Sequence, residues 1–340
     1  MSLQNQPRLS VVVVIVSDTA SGQANAAALA SCLESLLESE LESVRAQAQQ
    51  DAPPVEIIVP HSPVVEGLEA VQRRFPSVRF LAVGDLKNHT GQPGNREHHD
   101  ELRARGLAQA NGEVIALLED HALVDRRWCS HISEAHRRSN AAAIGGSIGN
   151  SVDRPLNWAV YFCDFFRYQN PVTEGPSEFA SDANCSYKKA ALESIRPLWQ
   201  EIFRETTVNS ALQQQGETIE LSPNIISYQN RHDLRLGAAL MERVVWGRSY
   251  AAGRSCLVNA ASRGIYAALA PVLPFVLTLR IARSAFSKRR HWEFLKAAPA
   301  LVLLTVAWSL GEGAGYLTGR PASGGAPEGK ALISSTKPAT

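Results

Sequence analysis

Residues 9–17 (LSVVVVIVS) form an unbroken apolar run rich in β-branched residues, the pattern of a strand covered on both faces in a parallel sheet. Residues 26–46 place Leu29, Leu33, Leu36, Leu37 and Leu41 at helical spacing and turn acidic residues outward, which predicts a helix with an acidic outer face. Residues 55–59 and 78–83 predict two further strands, separated by a helix over 65–74 that stops before Pro76. A polar, glycine-containing loop over 87–96 then leads into a helix carrying Arg105, followed by a turn at Asn111-Gly112 and a buried strand over 114–118. Strands alternating with helices imply right-handed βαβ units and a nucleotide-sized crevice beyond the carboxyl ends of the strands.

The pattern loosens further on. A helix over 129–139, a short strand of small residues over 141–147 with Gly145-Gly146, and an aromatic stretch over 156–168 are expected. Residues 181–186 (SDANCS) precede a helix expected to start near Lys188; 203–216 reads as helical, and 218–223 leads back to the sheet. The aromatic stretch could stack on the rings of a ligand or pack against neighbouring helices. Beyond His232 the character changes. Segments 264–279 and 297–319 are strongly apolar and flank a basic stretch containing Arg280, Arg283, Lys288, Arg289, Arg290 and Lys296. The expected organisation is an α/β domain over 1–235, an amphipathic linker over 236–263, membrane-embedded helices over 264–319 and a disordered Gly/Pro/Ser/Ala tail over 320–340.

A length of 340 residues and an apolar content of 45% allow one large core plus an appendage. The net charge of +1 gives no reason to expect a nucleic-acid partner. Five scattered cysteines without zinc-ligand spacing suit free thiols in a reducing compartment, and the first residues carry no export signal.

The chemistry concentrates at Glu119-Asp120-His121, just past the strand over 114–118. All three are metal-ligand types, and the softer imidazole tilts the choice of ion towards Mn²⁺ over Mg²⁺. A polar strand cap with a solvated histidine is the plainer alternative. The flanking residues Ala104-Arg105-Gly106, Ala110-Asn111-Gly112-Glu113, Leu117-Leu118-Glu119-Asp120-His121 and Trp128 resemble the A-R-N…A-x-G-E-x-I-x-F-L-D-D-D…P…W pattern of family-2 glycosyltransferases, with Glu-Asp-His in place of three aspartates.

That resemblance implies a GT-A (Rossmann-like) nucleotide-diphospho-sugar transferase domain that moves a sugar, with inversion, from a nucleotide-sugar donor to a hydroxyl of a glycan or lipid-linked acceptor. It implies a Mn²⁺ or Mg²⁺ ion held by Asp120 and His121, and donor contacts from Asp18, His61, Arg105, Glu119 and Asp120. Aligning Val208, Leu212 and Gly216 with the E-D-x-x-L-x-x-x-L-x-x-x-G pattern puts Arg204 at its Glu and Glu205 at the Asp that serves as base. Glu205 could equally just begin a helix, and Glu201 is a competing base. The segment Ser181-Asp182-Ala183-Asn184 resembles the family's G-A-N acceptor segment, which implies sugar contacts from Asp182 and Asn184; such residues also cap turns. Pro60-His61-Ser62 stands where the family has D-D-x-S, and Ser17-Asp18-Thr19 replaces P-x-Y/F-N, so the nucleobase is not identified. Two rivals follow: an inactive relative acting as a membrane-bound partner in a glycan assembly complex, and a nucleotidyltransferase. The second needs a glycine-rich phosphate loop, whereas residues 17–22 contain one glycine.

Nucleotide sugars are cytosolic, so a cytoplasmic catalytic domain bound to the inner or plasma membrane is expected. Two simple spans would put the basic stretch outside, against the positive-inside rule. A re-entrant or interfacial first segment, broken by Pro271 and Pro274, removes that conflict.

Overall fold

The computed structural model describes residues 8–16, 25–47, 55–87 and 97–321. Its sheet is built from β1 (Leu9–Val14), β2 (Glu56–His61), β3 (Arg79–Ala82), β4 (Val114–Glu119), β5 (Ala122–Val124), β6 (Ala143–Asn150), β7 (Gly175–Pro176), β8 (Asn184–Lys188) and β9 (Ile219–Gln229). The strand order is β3-β2-β1-β4-β8-β6-β9-β5, with β7 on β9. The helices are α1 (Leu29–Gln47), α2 (Leu68–Arg74), α3 (Glu97–Gln109), α4 (Trp128–Arg138), α5 (Pro155–Phe165), α6 (Lys189–Ser194), α7 (Arg196–Trp199), α8 (Glu205–Gln214), α9 (Leu236–Ser255), α10 (Ala260–Leu269), α11 (Leu273–Ser287) and α12 (His291–Thr318).

The first four strands of that order are parallel, as the alternation of elements predicts. β1 is buried throughout, and its side chains alternate between two cores. Val11 and Val13 meet α1, α2 and α4, whereas Val12 and Val14 meet α3 and the helices after β8. Gly106 lets α3 press onto the sheet, since a Cβ there would meet the Val12 side chain and then Pro60.

The other half of the sheet is mixed. β8 runs antiparallel to both β4 and β6, β6 and β9 are parallel, and β5 is antiparallel to β9. The helix expected near Lys188 is α6, and the residues before it form a strand, β8, that the local pattern did not announce. Cys185 and Tyr187 point into the core under α3, while Asn184 and Ser186 alternate with them and bond to Trp128 and His136. β9 continues to Gln229, six residues beyond the expected 223.

The C-terminal helices pack on the α/β domain instead of standing apart from it. A third core joins Trp158 and Phe162 of α5 to Ile281 of α11 and to Phe294, Ala297 and Leu301 of α12. Of the two roles considered for the aromatic stretch, packing holds for Trp158, which lies under Arg290, and for Phe162, which meets Phe294. α9 runs against α12, and a Cβ on Gly247, Gly311 or Gly315 would run into the backbone of the facing helix. Two stretches, Ala260–Ser287 and His291–Thr318, are each 28 residues long and apolar enough to cross a membrane. Their outer faces carry Ile265, Leu269, Val272, Phe275, Val276 and Leu279 at helical spacing, with Phe275 77% and Trp292 75% exposed.

Candidate functional site

β4 ends at Glu119, and the chain turns at Asp120-His121 into β5, which pairs with β9 at the far edge of the sheet. This turn opens the crevice. The Asp120 N–H donates to the Val14 carbonyl and the Val16 N–H donates to Asp120 Oδ1, each at 3.0 Å, so the Asp120 side chain is fully buried behind the turn. Its Oδ1 also lies 3.5 Å from His121 Nδ1. His121 Nε2 lies 3.4 Å from Glu119 Oε2 and 2.6 Å from Gln229 Oε1. Burial disfavours the His121 imidazolium, yet the hydrogen bond to Asp120 and the charge of Glu119 hold its pKa above the ordinary histidine value, against the opposing charge of Arg231.

The other oxygen of Glu119 accepts from Arg103 Nη2 at 3.1 Å. Arg103 is fully buried and also contacts Asp182 Oδ2 at 3.1 Å and Asp100 Oδ1 at 2.9 Å. A guanidinium withdrawn from water is tolerated only with such partners. The Asp182 N–H in turn donates to Glu205 Oε2 at 2.8 Å. Glu205 is the first residue of α8, where its charge also suits the positive end of the helix dipole. A continuous polar chain therefore runs Gln229–His121–Glu119–Arg103–Asp182–Glu205.

These groups open on a cavity of about 700 Å³. Glu119, His121, Asp182, Glu205, Gln229 and Arg231 line one end. The cavity continues between α5, α9, α11 and α12, where Tyr161, Phe165, Trp246, Leu277, Leu304 and Trp308 form the wall.

The expected site residues fall into three groups. Glu119, His121, Asp182 and Glu205 are brought together on the cavity wall, with Asp120 immediately behind. Three others stand elsewhere. Asn184 uses its oxygen on Trp128 Nε1 (2.9 Å) and its nitrogen on the carbonyls of Ser147 (2.9 Å) and Ile225 (3.0 Å), clamping α4 to the sheet. His61 is turned onto the Ser62 carbonyl at 2.8 Å, and Arg105 pairs with Asp85 at 3.1 Å; neither lines the cavity. Asp18 lies outside the described residues. The competing base Glu201 is exposed and bound to Lys87 at 2.7 Å. Arg103 and Gln229 escaped the sequence reading. Arg103 sits two residues from the motif arginine on α3, and that proximity was the available signal.

The family model described as "Glycosyl transferase family 2" matches residues 10–196, more than half of the chain. No curated protein sequence matches. Among solved structures, a mannosyltransferase, PcManGT from Pyrobaculum calidifontis, in complex with GDP-Man and Mn²⁺, is similar at 14% identity and a TM-score of 0.45, over 97% of this chain and 79% of that one. S. aureus TarS (residues 1–349) is similar at 14% identity and a TM-score of 0.43, over 88% of this chain and 90% of that one. TarS in complex with UDP-GlcNAc gives 11% identity and a TM-score of 0.44, with the same coverage. The parallel half-sheet, the acidic turn after its fourth strand and the family match agree: the chain belongs to glycosyl transferase family 2 and is a nucleotide-sugar glycosyltransferase of GT-A fold with two apolar helical stretches at its C-terminal end.

Proposed function

We propose that the protein transfers a sugar, with inversion, from a nucleotide-sugar donor to a hydroxyl of a membrane-borne, lipid-linked acceptor, using Glu205 as the base. One observation carries this reading: a single cavity joins the Glu119–His121–Glu205 centre to a passage between helices whose outer faces are apolar and exposed. In the proposed reaction the acceptor oxygen attacks the anomeric carbon as the bond to the diphosphate breaks. Glu205 takes the hydroxyl proton and the nucleoside diphosphate leaves. The Asp182 N–H at 2.8 Å from Oε2 holds this carboxylate on the cavity wall, where a positioned carboxylate can act as the base. Arg231, close enough to His121 to oppose its protonation, stands on the same wall and suits the diphosphate.

A divalent cation would be held by Glu119 and His121 only with the imidazole released from Gln229 Oε1, which Nε2 meets at 2.6 Å; Asp120 lies behind them. When bound, such an ion neutralises charge on the departing diphosphate, and the imidazole favours Mn²⁺ over Mg²⁺. The exposed Phe275 and Trp292 faces, together with Lys288 and Arg289 between the two apolar stretches, suit an anionic bilayer surface. In this proposal the catalytic domain works on the cytoplasmic side, at its donor supply.

The test is release of nucleoside diphosphate from a panel of nucleotide sugars by protein reconstituted in vesicles, with and without added lipid extract. One donor series should be consumed, lipid should stimulate it, and the sugar label should pass into the organic phase. Label that stays in water-soluble product would remove the lipid acceptor. Binding of donors without turnover under any condition would favour the non-catalytic partner.

A further inference from the structure

Resting on the bilayer-facing orientation proposed above and on none of its chemistry, we infer that the groove between α11 and the segment after α5 binds the phosphate of an anionic phospholipid. The groove has a volume of about 450 Å³ and adjoins the large cavity, with which it shares Phe166, Arg167 and Arg280. Arg283 and Lys288 belong to the groove alone. Its lining thus holds four cations against one carboxylate, Glu174, and none of the four forms an ion pair with a described carboxylate. Cations just beyond are treated differently: Arg290 pairs with Glu293 at 3.1 Å and Lys296 with Asp153 at 3.3 Å. Like charges gathered without partners repel, and an anion among them removes that cost.

The groove is held in shape before any ligand arrives. The Phe166 ring carries the guanidinium groups of both Arg167 and Arg280, each 5.6 Å from its centroid, and Arg167 also lies 4.8 Å over Phe179. Stacking fixes a guanidinium plane and leaves its N–H groups for an anion. Hydrogen bonds stitch α11 to the opposite wall. Gln169 Nε2 donates to Ser284 Oγ at 2.9 Å, Ser284 Oγ donates to the Phe166 carbonyl at 2.8 Å, and Lys288 donates to the Pro171 carbonyl. Arg280, Ser284 and Lys288 follow each other at one helical turn, so the stitching lies on the same face as the cations. Side chains placed this way lose little freedom on meeting a phosphate.

The surroundings of Arg283 select a lipid over a free phosphate. One turn to either side on α11 stand Leu279 and Phe286, 53% and 46% exposed, with the exposed Phe275 a turn beyond Leu279. A phosphate in the groove therefore has an apolar strip beside it on which acyl chains can lie. A zwitterionic headgroup would bring its own ammonium to four cations, whereas an anionic one brings only the charge they lack. Through Phe166, Arg167 and Arg280, a lipid seated here also steadies one wall of the large cavity.

Native mass spectrometry of the full-length protein in detergent, titrated with phosphatidylglycerol or phosphatidylcholine, tests this without turnover. The first phosphatidylglycerol should bind roughly tenfold more tightly than phosphatidylcholine, and Arg283→Gln should weaken it about fivefold, the share of one interfacial cation. Arg283→Glu should abolish the preference. Arg289→Gln, next to the groove but outside it, should stay within about twofold of wild type, since the groove lies beyond a screened charge. Equal losses in Arg283→Gln and Arg289→Gln would mean diffuse attraction to the surface and overturn the inference. So would equal binding of the two lipids, or glycerol phosphate binding as tightly as phosphatidylglycerol. If phosphatidylglycerol binds as expected but no nucleotide sugar is ever consumed, the lipid site stands and the proposed function falls. If donors are consumed while Arg283→Glu keeps wild-type binding, only the lipid site falls.

Discussion

In the parallel half of the sheet, the side chains pressed between the helical layers are aliphatic: Val11 to Val14, Ile57 to Val59, Ile115 to Leu118. In the mixed half, buried positions are held by Ser147, Asn184, Ser186, Ser227 and Gln229. The first half is a scaffold held mainly by burial, with Ser10 and Glu56 tying its lower edge by hydrogen bonds. The second is held by specific hydrogen bonds, and the chemical groups stand along the seam where β4 hands over to β5 and β8. A polar core of this kind must satisfy each of its members, which makes it intolerant of change but able to aim side chains. The difference teaches where to expect activity to be lost without unfolding, and where both go together.

The sharpest probe of this contrast is Glu205→Gln. It lies at the start of α8, outside the packed core, and its replacement should cut turnover by roughly 10²- to 10⁴-fold while leaving the melting temperature unchanged. Nucleoside diphosphate release and a thermal melt on the same sample decide it; activity within a few-fold of wild type removes Glu205 from the mechanism.

Arg103→Met should come next in size. It leaves Glu119, Asp182 and Asp100 without the cation that joins them, a loss of about 3–5 kcal/mol in a urea titration. Stability as well as activity would fall, which marks Arg103 as part of the seam.

His136 tests the mixed half through pH. Its Nε2–H is held by Ser186 Oγ at 2.9 Å, while its Nδ1 is buried without a partner. Burial, with Lys188 nearby, pushes its pKa down from 6.5 to about 4. The unfolded chain therefore takes up a proton that the folded one refuses. The stabilising contribution is full above about pH 6.5 and is lost as pH falls towards about 4, by up to about 3 kcal/mol. In His136→Gln the slope of stability against pH across that window should flatten.

The smallest effect belongs to Arg105→Met. This half-exposed side chain reaches Asp85 at the rim, and its loss should stay within about 1 kcal/mol. An effect as large as that of Arg103→Met would reverse the roles given to the two arginines.

The same contrast explains what the sequence disclosed. Unbroken runs such as 9–14 and 114–118 are strands for a local reason, burial on both faces, and local pattern finds them. β5 and β7 are three and two residues long and exist only because β9 is there to pair with them. The acidic turn was visible because its flanking residues fit a known pattern, and Glu119, His121, Asp182 and Glu205 stand together on the cavity wall. Asn184 was assigned to the acceptor by motif, and no local signal shows that Trp128, Ser147 and Ile225 already hold it. Arg103 and Gln229 depend on contacts 16 and 108 residues away in the chain, a distance at which periodicity is silent.

The seating of α12 on α5 bears on how this protein can be divided. A cut after residue 235, at the boundary suggested by composition, would strip Ile281, Phe294 and Leu301 from Trp158 and Phe162 and remove one wall of the cavity. The catalytic unit is therefore not detachable from its apolar helices. Any shuffling of this domain would have to carry those helices along, and selection on their exposed apolar faces and on the cavity would act on the same helices.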